Sequence, residues 1–257
     1  MKNLLLIIII NIALFGFSSC QKSLKDIVKE AEEATFIIYT YDEFGSPAGS
    51  GSGFFIDENG TGITNYHVLD GAVKAIIKTT DEKEYEINKV IASDKNWDIV
   101  KFSIKAYHSG FKYLRFSKKA IEKGDIVYNI SSPMGLEKTI SNGIVSSLRE
   151  DKQHGAVVQI TAPISSGSSG SPILDKNGNV FAVATYVRRG GQNLNFGVLI
   201  DKNRIDNLVK SDFIAQNPKF NAKSDFVILN IPADDDEEII LNAIEFGKTS
   251  TTLYLSS

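Results

Sequence analysis

An all-β architecture of Greek-key barrel or sandwich type is predicted over residues 35–201, and three observations predict it. Short β-branched and aromatic segments recur along that stretch, turn-forming residues separate them, and a helical period is almost absent. The segments fall at 35–41, 53–56, 62–65, 73–78, 85–92, 99–104, 126–130, 140–148, 156–160, 172–174, 180–186 and 195–200. Glu58-Asn59-Gly60 and Lys176-Asn177-Gly178 supply the residues that tight hairpin turns demand.

The flanks differ. Leu24, Ile27, Val28, Ala31 and Ala34 recur at three- and four-residue spacing after Ser23, which predicts an amphipathic lead-in helix capped by that serine. Beyond Asp201, the apolar Ile205, Leu208 and Val209 predict one helix. Residues 213–257 form an extension with apolar alternation at 226–231 and 239–246 around an acidic run at 234–238. That run reads as a solvated turn rather than a cation site. The domain boundaries follow as 1–19, 20–34, 35–212 and 213–257, with the last of unknown fold.

With 257 residues the chain can bury a sizeable core, and 42% hydrophobic with 23% charged residues is ordinary for a globular protein. A net charge of -3 gives no electrostatic case for nucleic acid. Residues 1–19 stand apart: Lys2 precedes an apolar run of about 14 residues, too short to span a bilayer as a helix. Ser18 and Ser19 then lead to Cys20, a pattern that resembles a bacterial lipoprotein processing site with lipidation at Cys20. A plain secretory signal cut nearby is the alternative. Both imply export to the cell envelope, and the lipid would supply a membrane anchor. Cys20 is the sole cysteine, so no intramolecular disulfide can form.

Chemistry concentrates in three places. Ser165 to Ser171 is too rich in glycine and serine to be a strand, yet strand-like segments bracket it. A tight loop of this kind exposes backbone amides, and a serine hydroxyl needs both a base to remove its proton and donors for the oxyanion that follows. His67 ends an apolar segment, whereas His108 and His154 sit in polar turns and fit surface roles. Read alone, a histidine at the end of a strand such as His67 is more often a structural residue. Asp98 immediately precedes the apolar 99–102 segment, where an acid can accept the second imidazole N–H and fix its tautomer. Asp94 lies in the turn before it.

Six motifs taken in order resemble the HtrA (Deg) branch of the chymotrypsin-like serine proteases. They are Gly51-Ser52-Gly53-Phe54-Phe55-Ile56, Thr64-Asn65-Tyr66-His67-Val68, Asp94 to Val100, Ser132-Pro133-Met134-Gly135, Ser141-Asn142-Gly143-Ile144-Val145-Ser146 and Gly167 to Pro172. The resemblance implies two six-stranded Greek-key barrels with a cleft between them, here followed by a short C-terminal extension. It carries over His67 as general base, Asp98 as its orienting acid, Ser169 as nucleophile, and the backbone amides of Gly167 and Ser169 as oxyanion donors. Ser168 and Ser171 depart from the branch's usual asparagine and glycine. The extension has no recognisable PDZ carboxylate-binding loop.

The family builds its substrate pocket from segments that here contain Ile164, Tyr186, Val187, Phe196 and Val198. No acid or histidine stands where a basic or acidic substrate side chain would be held, so a small or medium apolar residue at the cleaved position is expected. The expected activity is endopeptidase cleavage of unfolded or extended protein segments, with peptide main chain bound by strand addition and no metal or organic cofactor. A catalytically silent, peptide-binding protease-like module is the alternative. An esterase is a weaker one, since no Gly-x-Ser-x-Gly elbow is present.

Overall fold

A computed structural model describes residues 22–131, 139–152, 154–187 and 194–208, together with Phe213, Asn217 and Phe220. Helix α1 (Leu24–Ala34) leads into β1 (Thr35–Tyr41), β2 (Pro47–Phe55) and β3 (Gly62–Thr64). A one-turn helix α2 (Tyr66–Leu69) precedes β4 (Lys74–Lys78), β5 (Glu84–Asp94) and β6 (Ile99–Ile104). The second half holds β7 (Ile126–Ser131), β8 (Thr139–Asp151), β9 (Gly155–Ile160), β10 (Pro172–Asp175), β11 (Val180–Val187), β12 (Asn195–Leu199) and the short α3 (Lys202–Asp206).

These strands close into two antiparallel barrels of identical connectivity, β1-β2-β3-β6-β5-β4 and β7-β8-β9-β12-β11-β10. Closure comes from β1 pairing with β4 and β10 with β7, which leaves no sheet edge unpaired. The all-β, two-barrel expectation is therefore met. Twelve strands stand where twelve segments were read, with differences at their ends. Strand β2 begins at Pro47 rather than Gly53 because Gly49, Ser50 and Gly51 pair with β1 despite their low strand propensity. Gly53 faces the Phe36 ring so closely that a Cβ there would meet Cε2 at 2.3 Å. Two turns use one device: Asp57 Oδ1 accepts from Asn59 N and Thr61 N, and Asp175 Oδ1 from Asn177 N and Asn179 N, at 2.8–3.0 Å.

The core has three parts. Phe36, Ile38, Phe55, Ile77, Val100 and Phe102 fill the first barrel, and Val127, Val145, Val158, Ile173 and Ala182 fill the second. A third cluster lies in the seam between them, where Phe54, Ile63 and Ile99 of the first barrel meet Ile130, Leu174, Val183 and Val198 of the second. Helix α1 seals this seam with Ile27, Ala31 and Ala34 of the apolar stripe its periodicity predicts, while Val28 is half-buried and Leu24, in the first turn, is exposed. Ser23 caps it in a reciprocal box with Asp26, whose carboxyl the serine's hydrogen bonds hold below the usual carboxylate range.

Helix α3 stands near the expected C-terminal helix and is shorter, ending at Asp206. Its Arg204 guanidinium lies 3.8 Å over the Trp97 ring. Of the extension, Phe213 and Phe220 join the first barrel's core. Residues 1–19, Cys20, the 132–135 motif and, apart from Phe213, Asn217 and Phe220, the extension with its acidic run lie outside the described residues. Among the described residues, no helix is long and apolar enough to cross a membrane.

Candidate active site

The histidine and the acid come from the first barrel. Strand β3 ends at Thr64, Asn65 turns the chain into α2, and His67 sits in its single turn with its side chain half exposed. Asp98 closes the β5–β6 turn at φ +58°, a left-handed conformation unusual for a side-chain-bearing residue. Its carboxylate is buried and binds His67 twice, accepting from the backbone N–H at 2.9 Å and meeting ring Nδ1 at 2.8 Å. A carboxylate accepts only, so this contact keeps the proton on Nδ1 and leaves the Nε2 lone pair free to take another. Asp94 does something else: Oδ1 accepts from Trp97 N at 2.8 Å and caps the turn that presents Asp98.

The serine loop comes from the second barrel and is fixed through its backbone. Ser168 N donates to Ser165 O and Ser171 N to Ser168 O, which makes two successive turns. Gly167 and Gly170 occupy left-handed φ of +88° and +87°. The loop is stitched to the first barrel by Ser52, whose N–H donates to Ser169 O at 2.8 Å and whose hydroxyl donates to Gly167 O at 2.8 Å. Gly170 presses so closely that a Cβ would sit 2.1 Å from Ser52 O and 2.3 Å from Thr64 Oγ1. A Cβ on Gly51 would touch both Val68, the neighbour of His67, at 2.8 Å and Ser169 O at 3.2 Å. The segments carrying His67 and Ser169 thus flank one glycine.

Ser169 is half-buried, and its hydroxyl donates a long bond to Thr185 O at 3.3 Å. Among the described residues, no hydrogen bond joins it to His67. The N–H groups of Gly167 and Ser169 likewise donate to no other described group. Such amides suit a developing oxyanion.

The two serines that depart from the HtrA pattern are both buried and paired. Ser168 Oγ donates to Ser131 Oγ at 3.0 Å and accepts from Ser165 N at 3.3 Å. Ser171 Oγ accepts from Asn129 Nδ2 at 2.8 Å. The pocket residues distribute unevenly. Ile164 packs half-buried against the second barrel's core, while Phe196 and Val198 are buried in the seam. The side chains of Tyr186 and Val187 lie outside the described residues. His108 stacks on Phe111 and contacts Tyr85 OH at 3.1 Å, and His154 contacts Asn96 O at 3.1 Å, both away from the serine loop. Sequence reasoning missed Ser52, Asn65, Asn129 and Thr185. Asn129 and Thr185 signal themselves only as polar residues in otherwise apolar strands, whereas Ser52 and Asn65 lie inside two of the quoted motifs without a role that the motifs assign.

The family model of the trypsin-like peptidase domain matches residues 51–183, more than half of the chain and inclusive of His67, Asp98 and Ser169. The chain belongs to the trypsin-like peptidase family. Within it, the chain is 27% identical over 200 residues to a putative serine protease HhoA of Synechocystis sp., covering 74% of this chain and 50% of that protein. It is 32% identical over 145 residues to a probable periplasmic serine endoprotease DegP-like of Brucella suis, covering 55% and 28% respectively. It thus spans half or less of these relatives' lengths. Its fold matches that of the HtrA-type protease AlgW with tripeptide at a TM-score of 0.63 and 24% identity, covering 69% of this chain and 60% of that one.

Proposed function

We propose that this chain is a serine endopeptidase that hydrolyses unfolded or extended protein segments through an acyl-enzyme intermediate. The observation that carries the reading is the buried Asp98 carboxylate bound to His67 Nδ1 at 2.8 Å, beside a glycine-rich loop that offers Ser169 and two uncommitted amides. In this mechanism Ser169 Oγ leaves Thr185 O and donates to His67 Nε2. The imidazole takes the proton as Oγ attacks the scissile carbonyl, and Asp98 stabilises the imidazolium without itself accepting the proton. The amides of Gly167 and Ser169 bind the oxyanion. His67 then protonates the leaving amine, and a water repeats the sequence to free the acyl group. No step calls for a metal or organic cofactor.

Ile164 beside the loop supports an apolar wall for the cleaved residue, in keeping with a small or medium apolar side chain. The DegP-like relative's name, which includes the word periplasmic, supports export to the cell envelope, and the Ser18-Ser19-Cys20 pattern supports Cys20 as the lipidated anchor. Incubating purified protein with casein and mapping the cut sites tests activity and pocket together. Cuts after small or medium apolar residues are expected, and intact casein overturns the reading. The anchor has its own test. The parent should partition with bacterial membranes while Cys20→Ser forms no lipidated product, and a soluble parent with an unmodified N-terminus beyond Cys20 refutes it.

A further inference from the structure

We propose that Asn65 is a positioning residue that sets the Asp98 turn and ties it, across the two barrels, to the serine loop. The proposal rests on the reading of His67, Asp98 and Ser169 as the reacting groups. Asn65 is fully buried. Its Nδ2 spends both hydrogens, one on Asp98 O at 2.9 Å and one on Thr185 Oγ1 at 3.1 Å. Its Oδ1 has no hydrogen-bond partner among the described residues. An orphaned buried carbonyl is costly, and an apolar side chain of similar shape would avoid it. The two donors are therefore what this position supplies.

Both donors land on groups that matter to the site. Asp98 holds a left-handed φ of +58°, a strained conformation that survives only when its surroundings determine it. Its carbonyl accepts from Tyr66 N at 3.1 Å as well as from Asn65 Nδ2, and these two bonds fix the peptide that aims the carboxylate at His67. Thr185 Oγ1 donates onward to Val183 O at 3.1 Å, while the Thr185 carbonyl receives Ser169 Oγ at 3.3 Å. A continuous line of contacts runs from Asp98 through Asn65 and Thr185 to Ser169. Asn65 is also the N-cap residue of α2, yet its Oδ1 accepts no cap bond there, and the two bonds that engage its amide are those of Nδ2 across the seam.

The test compares Asn65→Leu and Thr185→Val with the parent, reading kcat and KM on an unfolded substrate and the low-field proton resonance of the His67 Nδ1–H. Asn65→Leu is expected to lose about 100-fold in kcat with KM within threefold, the scale on which a small misplacement of reacting groups acts, and to lose the resonance. Thr185→Val keeps the bond to Asp98 O and should lose less than tenfold. A folded Asn65→Leu with the parent's kcat and resonance overturns the proposal. Should Asn65→Leu fail to fold, Asn65→Ala is read by the same criteria. A parent that cleaves nothing defeats the peptidase reading instead. The resonance then still decides whether Asn65 positions the His67–Asp98 pair.

Discussion

The two barrels share one strand order but hold their contributions to the site by opposite means. The first fixes a pair of side chains to each other: Asp98 binds His67 by ring and backbone, so the imidazole proposed as base is oriented by one buried carboxylate. The second fixes a loop, and the Ser169 hydroxyl makes one long bond while the loop's peptide groups are pinned to Ser52, Ala184 and Asn129. This division suits the chemistry. A base must keep one tautomer and direction throughout, whereas a nucleophile must leave its resting partner and move toward the substrate.

The difference can be broken from either side. Ser169→Ala should remove the reaction, a loss on the order of 10⁶ in turnover, while the fold persists because the loop is held by backbone. The same change at Ser166 should be tolerated far better. On the first barrel, Asp98→Asn should cost about 10⁴ in turnover at pH 7.5 by presenting a donor where an acceptor is needed. Asp94→Asn keeps an acceptor oxygen for Trp97 N and should cost no more than about tenfold. Turnover of both variants on an unfolded substrate measures the gap, and equal activity of Asp98→Asn and the parent would remove that acid from the mechanism.

Where the barrels meet, Gly170→Ala should destabilise by on the order of 3 kcal/mol in denaturant unfolding, because its φ is left-handed and its Cβ would strike Ser52 O. A neutral result would mean that the loop is not wedged against the first barrel. The smallest effect belongs to the helix that seals the seam. Ser23→Ala should cost about 1 kcal/mol through its lost cap. Since Ser23 holds Asp26 below the ordinary carboxylate range, the carboxylate's share of that cap is present above the unfolded carboxyl's pKa and fades as pH falls through the folded value, while the bond from Asp26 N to Ser23 Oγ does not titrate. The gap between parent and variant should therefore narrow in acid.

Much of this was legible in the residues because strand segmentation depends on local alternation and turn chemistry. Thr35–Tyr41 and Ile99–Ile104 were read to the residue, and three of the five positions of the α1 stripe are buried, Leu24 being exposed. The contact between His67 and Asp98 was also anticipated, since both lie beside apolar strands in a familiar order. What escaped depends on distant partners. The amide of Asn65 meets Thr185, 120 residues away, and Ser52 reaches Gly167, 115 residues away. No local pattern encodes such bonds. The α2 turn was missed for a related reason: four residues cannot form a helix alone. Instead Tyr66 packs on Phe213, with ring centroids 5.2 Å apart, and Asn217 Oδ1 receives Gly71 N at 2.7 Å.

The central claim, that His67 activates Ser169, is tested most directly by covalent labelling with a fluorophosphonate probe and mapping of the modified residue by mass spectrometry. The account predicts one adduct, on Ser169, in the parent and none in His67→Ala at the same probe concentration. Labelling spread over Ser165, Ser166 and Ser168, or labelling of Ser169 undiminished in His67→Ala, would contradict it.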